Sequence, residues 1–279
     1  MTITAYIGVA LPDLLYGTAW KKEATSGLVQ QAVAAGFRGI DTANQLIHYR
    51  ETGVGEALLE LRKSGIARDS LFLQTKFTPL NGQGGQPPYD PSVALAEQVR
   101  QSFESSLAHL HTDTLDSYVL HGPYSRRGLG DADREVWGAI EDLYRSGRVR
   151  MIGISNVTAP QLEQLCAEAK TRPMVVQNRC YAVMGWDRDV REICRAQGIV
   201  YQGFSLLTAN LDVLAQPLFR DTAARVRAGV AQVVFRFAQQ IGMLPLTGTT
   251  DAEHMKEDLA AERLTLTDDE IRRIEAAGL

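Results

Sequence analysis

Apolar residues fall along the chain in two alternating kinds of run. Short runs of six to eight residues, rich in Val, Ile, Leu, Tyr and Phe, predict strands at Leu14–Trp20, Phe37–Ala43, Leu71–Phe77, Leu115–His121, Val149–Asn156, Val175–Cys180, Val200–Ser205 and Leu244–Thr249. Between them, apolar positions recur at threes and fours. They predict helices over Ala24–Ala35, Gly53–Arg62, Pro91–Leu110, Ala132–Ser146, Ala159–Ala169, Arg188–Gln197 and Asp221–Ile241. Asp251–Ala261 and Thr267–Ala277 complete the set. Thr267-Asp268-Asp269-Glu270 reads as a capping box, and Gly36, Gly147 and Gly198 stand where helices end. Eight strands, each followed by a helix, predict a closed parallel (β/α)8 TIM barrel. One mis-assigned strand would leave a doubly wound sheet as the alternative.

Composition narrows the class. The 279 residues are 45% hydrophobic, and no linker or composition shift divides them, so a single domain over 1–279 is expected. The net charge of −4 gives no reason to expect a nucleic-acid partner or an anionic membrane surface. No apolar stretch has membrane-spanning length. Met1–Ala5 lacks a basic region followed by an apolar run, so no signal peptide is expected. Cys166, Cys180 and Cys194 are odd in number and form no CxxC pair. A reduced, cytoplasmic chain without a metal site is the reading, as a monomer or weak homo-oligomer. The stretch Thr78–Asp90, rich in Gly, Pro and Gln, follows the third strand. In a barrel it would stand on the active-site face as a flap or wall.

Candidate chemistry sits at strand ends. Asp41, Lys76 and His121 each close a short apolar run, and Tyr49 and His48 lie close after the first of them. Alone, each has a bland reading: a turn or N-cap Asp, a solvated Lys, a structural His, loop residues. In a parallel barrel these ends ring one pocket, so the residues would face one another although distant in sequence.

The pieces Gly36-Phe37-Arg38-Gly39-Ile40-Asp41-Thr42-Ala43, Glu51-Thr52-Gly53-Val54-Gly55-Glu56-Ala57-Leu58, Thr75-Lys76 and Leu120-His121-Gly122-Pro123 resemble, in order and spacing, the aldo-keto reductase family. Gly153-Ile154-Ser155-Asn156, Val176-Gln177-Asn178 and Leu244-Pro245-Leu246-Thr247-Gly248-Thr249 extend the resemblance over nearly the whole chain. The runs at 44–50 and 78–83 also resemble a subgroup frequent in fungi, which would suit secondary metabolism. The family resemblance implies a barrel that binds a nicotinamide cofactor without a Rossmann domain and reduces carbonyls to alcohols. No GxGxxG follows a strand here, in agreement.

Asp41, Lys76 and His121 match three of the family's four catalytic positions. The fourth is a Tyr five residues after the Asp, where this chain has Leu46. The segment 44–51 is about two residues longer than the family's form; counting back from Glu51 puts His48 in the Tyr column. Tyr49 is the chosen acid and His48 the alternative. The chemistry explains the residue types. Hydride transfer leaves negative charge on the carbonyl oxygen, and a donor must protonate it. A free Tyr, with a pKa near ~10, donates poorly at neutral pH. A neighbouring ammonium lowers that value, an Asp keeps the ammonium charged, and a His orients the substrate oxygen.

The resemblance also assigns cofactor contacts. Ser155, Asn156 and Gln177 match the residues that hold the nicotinamide carboxamide. Phe204 stands where a stacking Tyr is usual, and Ser205 and Leu207 follow as pyrophosphate contacts. At the adenosine end the family's Lys-Ser is Leu246-Thr247 here, and His254 falls near the expected Arg. Thr247, Thr249, Thr250, His254 and Lys256 remain to meet the phosphate, with Lys256 the one fixed cation nearby. NADPH is the cofactor the resemblance implies, and NADH use stays open. Many members continue beyond the last helix, whereas this sequence stops at Leu279, so an open pocket is expected. Its walls would be Thr78–Asp90, Tyr124–Gly130 and Tyr181–Trp186, lined by Trp20, Tyr124 and Trp186, with ordinary packing as the other reading of each Trp. A small-molecule carbonyl is the expected substrate. A cofactor-binding scaffold, or a barrel repurposed for a non-redox step, is the alternative function.

Overall fold

The computed structural model describes residues 5–279; Met1–Thr4, part of the segment where no export signal is expected, lies outside them. The first two strands, β1 (Ala5–Tyr6) and β2 (Val9–Ala10), form a small antiparallel hairpin. Eight parallel strands then close a barrel: β3 (Leu15–Gly17), β4 (Gly39–Asp41), β5 (Phe72–Phe77), β6 (Leu115–Leu120), β7 (Val149–Ser155), β8 (Val175–Arg179), β9 (Val200–Phe204) and β10 (Met243–Thr247). The order runs β10-β3-β4-β5-β6-β7-β8-β9, so each strand pairs with its sequence neighbours and β10 closes on β3.

Helices α1 (Thr25–Ala35), α2 (Glu51–Lys63), α3 (Leu95–Leu110), α4 (Asp131–Arg145), α5 (Ala159–Glu168) and α6 (Arg188–Gln197) follow β3 to β8 in turn. After β9 come α7 (Leu211–Leu214), α8 (Pro217–Val226) and α9 (Val230–Gln240); after β10 come α10 (Ala252–Ala260) and α11 (Asp268–Ala276). The strands are covered by helices outside and by side chains inside, so β5 and β6 are buried at every position. Their polar residues, such as Gln74, Thr75, Lys76 and Ser117, are therefore buried along with the apolar ones.

Local chemistry fixes the ends. Thr267 accepts from the Glu270 amide, and Glu270 returns a bond to the Thr267 amide, as the capping box predicts. Gly36, Gly147 and Gly198 all take positive φ. Gly55 is demanded by packing: a Cβ there would stand 1.8 Å from the His109 carbonyl oxygen, so only glycine lets α2 approach the end of α3.

Several expected boundaries change, and the strand at Phe37–Ala43 shortens to β4. The strand at Leu14–Trp20 shortens to β3, because Trp20 and Lys22 take left-handed φ of 64° and 49°. The helix expected from Pro91 starts at Leu95, where Ala94 is an extended N-cap with ψ of 147°. The single helix over Asp221–Ile241 is two: Arg227 turns left-handed at φ 56°, and Gly229 caps α9. Thr78–Asp90 is irregular as expected, apart from one 3-10 turn at Leu80–Gly82.

Candidate active site

β4 and β5 lie in register with Asp41 beside Gln74, which sets Asp41 and Lys76 at the same end of the barrel. Lys76 is fully buried and spends its ammonium protons locally. It donates to both carboxylate oxygens of Asp41 at 2.7 Å and to the Thr42 carbonyl at 2.8 Å. Burial pulls the Lys76 ammonium below its ordinary range, and the charge of Asp41 pulls it back up. The intervening Thr75 faces outward, as strand alternation requires, and donates to Glu51 at 2.5 Å. Glu51 is the first residue of α2 and also meets His109 Nδ1 at 3.0 Å. That buried carboxylate ties the start of α2 to β5 and α3, and so anchors the loop carrying Tyr49.

The long 42–50 loop makes a turn over Leu46–His48, leaving Leu46 and Ile47 exposed. Tyr49 then returns to the barrel mouth. Its ring lies under the Lys76 ammonium, 5.3 Å from nitrogen to centroid, and edge-on to His121 at 5.9 Å. His48 packs against Trp20, with ring centroids 4.2 Å apart and planes tilted by 49°. Burial, then the Asp41 charge, push the Tyr49 phenol above its ordinary value. The expectation that Lys76 lowers it does not hold in this state, because all three ammonium protons are engaged elsewhere. His121 is pushed down to about 3, by burial first and then by the Lys76 charge, so it is neutral near pH 7.

Around the cofactor positions, Ser155 donates to the Gln177 carbonyl at 2.6 Å and accepts from Asn156 Nδ2 at 3.1 Å. Asn156, at φ 54°, also donates to the His121 carbonyl at 2.8 Å. Gln177 sends its amide protons to Asp41 at 3.1 Å and Gln202 at 2.9 Å, which leaves its oxygen as the acceptor for a carboxamide. Phe204 is half-buried with the Arg179 guanidinium 5.3 Å from its centroid, and Ser205 and Leu207 follow in a turn. This set fits a nicotinamide: an aromatic face, a free amide oxygen and an Asn held open by backbone geometry.

The adenosine end differs from expectation. The Thr247 hydroxyl is no free phosphate donor, since it gives its proton to buried Asp258 at 2.8 Å. The Thr249 carbonyl accepts from Tyr16, and Thr250 and His254 are exposed. Lys256 pairs with Glu253 at 2.8 Å. Nor is it the one cation there: the Lys21 ammonium bonds the Gly248 carbonyl and lies 5.9 Å over the Tyr16 ring. Among the lining candidates, Trp20 is 65% exposed and Tyr124 half-buried at the mouth. Trp186 is a correction. It is 0% exposed, donates to the Ile274 carbonyl at 3.0 Å and packs on Phe237, so the ordinary-packing reading wins there.

Sequence reasoning missed a buried amide layer. Gln74 donates to Asp41 at 2.7 Å and to Gln202 at 2.8 Å, and Gln202 donates back at 3.1 Å. Parity held the signal: Gln74 is two residues before Lys76, and Gln202 two before Phe204, so each shares the inward face. Also missed was Thr78, whose hydroxyl is 2.7 Å from His121 Nδ1. Among the described residues no helix is long and apolar enough to cross a membrane, and no cluster of three or more metal-type ligands occurs.

Residues 13–278 match the model of the Aldo/keto reductase family. The chain is 31% identical over 276 residues to an uncharacterised oxidoreductase, YtbE, of Bacillus subtilis, covering 98% of this chain and 91% of that one. It is also 31% identical to the glyoxal reductase of the same organism, over 91% of this chain and 83% of that one. Among solved structures, an aldo/keto reductase from Brucella melitensis superposes with a TM-score of 0.82 at 28% identity, over 99% of both chains. The relatives include bacterial, yeast and plant proteins and do not single out a fungal subgroup. A closed (β/α)8 barrel, the family's sequence pieces at its strand ends and a match over nearly its whole length together establish that this chain belongs to the aldo/keto reductase family.

Proposed function

We propose that the chain reduces an aldehyde or ketone to an alcohol, with NADPH as the preferred cofactor, NADH as a workable second, and Tyr49 as the proton donor. One observation carries this reading: the Tyr49 ring lies close to both the Lys76 ammonium, at 5.3 Å, and a neutral His121, at 5.9 Å. A His neutral at working pH has no acidic proton to give, which leaves the phenol as donor. Ser155, Asn156, Gln177 and Phe204 would hold the nicotinamide end, while Ser205, Leu207, Thr249, Lys21 and His254 would meet the phosphates. When bound, the cofactor supplies the hydride to the carbonyl carbon. His121 hydrogen-bonds the carbonyl oxygen and fixes its position. Tyr49 passes its proton to that oxygen, and the Lys76 charge, 5.3 Å from the ring centroid, acts on the phenolate that remains through space rather than by a hydrogen bond. Asp41, held by Gln74 and Gln177, keeps Lys76 charged throughout.

The kinship to a glyoxal reductase supports small 1,2-dicarbonyls as one substrate class. Exposed Trp20, Leu46, Ile47 and Leu80 give a mouth with much apolar surface, which suits an aromatic or natural-product carbonyl as the finer proposal. We read the barrel as one functional domain acting as a monomer or weak homo-oligomer. The free thiols of Cys166, Cys180 and Cys194 fit a cytoplasmic setting. The test is loss of NADPH or NADH absorbance with a panel of 1,2-diketones and aromatic aldehydes. Turnover that disappears in Tyr49→Phe supports the reading. Tight cofactor binding without turnover of any substrate would instead favour a scaffold or a non-redox barrel.

A further inference from the structure

Thr78 is the first residue after β5, where the long irregular loop begins. It is 2% exposed. Its carbonyl accepts from the Tyr89 hydroxyl at 2.9 Å and from Gln83 Nε2 at 3.3 Å, and Tyr89 packs on Phe77 with ring centroids 5.5 Å apart. The loop therefore pins the Thr78 backbone from its far end. Opposite, the His121 amide donates to the Phe77 carbonyl at 2.8 Å, which sets the His beside Thr78. The Thr78 hydroxyl then lies 2.7 Å from His121 Nδ1.

We propose that Thr78 is a positioning residue: its hydroxyl donates to His121 Nδ1 and thereby holds the imidazole proton on Nε2, where it can be offered to a substrate oxygen.

The direction of this bond follows from satisfaction. Among the described residues the Thr78 hydroxyl meets no other acceptor. Were Nδ1 to carry the proton and donate to it, the buried hydroxyl hydrogen would have nowhere to go, at the cost of an unmade hydrogen bond. With the hydroxyl donating, both the hydroxyl and Nδ1 are satisfied, and Nε2–H is left for the pocket. Neutrality of His121 makes the choice of tautomer decisive, because an imidazolium would carry a proton on both nitrogens. A carbonyl oxygen is an acceptor only. The Nε2–H tautomer binds it, and the other would present a lone pair to it. Thr78 thus connects the 78–90 loop to the reacting centre through one hydroxyl.

This inference rests on the reductase reading, so the experiment separates the two. The first measurement is the nitrogen NMR signature of His121 in the full chain with bound NADPH, which needs no turnover. The second is steady-state reduction by wild type, Thr78→Val and Thr78→Ser. Wild-type His121 should carry its proton on Nε2. Thr78→Val should populate the other tautomer and lower kcat about 10- to 100-fold with little change in cofactor Kd, less than the ~100- to 1,000-fold loss of an oxyanion donor outright. Thr78→Ser should restore both tautomer and rate. A wild-type proton on Nδ1 overturns the proposal, even if Thr78→Val fails to fold. So does a Thr78→Val protein whose tautomer and rate are those of wild type. A correct tautomer in a chain that reduces nothing would uphold the bond while overturning the reaction it serves.

Discussion

Neutralising Asp41 tests the centre of the site most directly. For reduction, Asp41→Asn is expected to be milder than Lys76→Met, since Lys76 could stay protonated beside a neutral acceptor. For stability the structure predicts a large cost from both. Four hydrogen bonds end on the Asp41 carboxylate: two from Lys76, one from Gln74 and one from Gln177. Asparagine keeps one acceptor oxygen and turns N–H donors toward an ammonium that is 0% exposed. Removing one partner of a buried ion pair costs roughly 3–5 kcal/mol, and Lys76→Met should cost about the same by stranding the Asp41 charge. At about 2–4 °C per kcal/mol for a chain near this size, each single variant should lose roughly 6–20 °C of Tm. The double variant Asp41→Asn/Lys76→Met strands no charge, so its cost should fall short of the sum by at least ~2 kcal/mol. The pH dependence adds a sign. Burial lowers the Lys76 ammonium and Asp41 raises it, so Asp41→Asn lowers it further. Between that lowered value and the unfolded Lys value near ~10.4, the unfolded chain binds more protons, and stability rises with pH. The Asp41→Asn deficit should therefore narrow on going from neutral pH toward the alkaline end of that window. Urea unfolding of the four proteins at two pH values measures all of this. Single costs that add to the double within ~0.5 kcal/mol, or a deficit indifferent to pH, would refute the buried-pair argument.

Three further outcomes are expected. Tyr49→Phe should cut kcat at least ~100-fold with cofactor binding intact, whereas His48→Ala should act mainly on substrate KM through its contact with Trp20; the reverse pattern would make His48 the donor. Leu246→Lys should raise the NADPH-to-NADH preference by about 10- to 150-fold, the worth of one charge-assisted hydrogen bond, read as the ratio of kcat/KM values; no change would mean that Lys21 already satisfies the phosphate. Trp186→Phe should lower Tm through the lost bond to Ile274 and the lost packing on Phe237, and leave substrate KM alone; a KM effect would return Trp186 to the pocket.

The barrel was legible because its signal is local and repeated. Each strand run is followed by a helical run, and the turn residues between them carry their own chemistry, as at Thr267 and Gly198. Asp41, Lys76 and His121 were legible because strand ends in a parallel barrel converge, so three weak local signals acquire a common location. Boundaries slipped where one residue's backbone decides the matter. Arg227 breaks a periodic helix by turning left-handed, and no apolar pattern registers that. Trp186 slipped because a tryptophan after a strand reads alike whether its ring meets substrate or Phe237.

The polar interior was harder for a physical reason. A strand of a parallel barrel is buried on both faces, so polarity cannot report which way a side chain points; only parity can. Counting in twos from Lys76 reaches Gln74, and counting in twos from Phe204 reaches Gln202, which places both on the inward face with Gln177. Three neutral amides buried beneath an ion pair make no sense as ordinary core filling, since each must find partners or cost stability. They find them in one another and in Asp41. Parity thus recovers the layer from sequence, but not its function. That depends on distances between strands far apart in the chain: Gln74 and Gln202 are 128 residues apart, yet 2.8 Å apart in space. The same holds for Thr78 and His121, 43 residues apart, whose bond decides which imidazole nitrogen is left for the substrate. Residue type and order select the candidate catalytic groups, but the protonation states that would set them to work come from contacts that only the closed barrel creates.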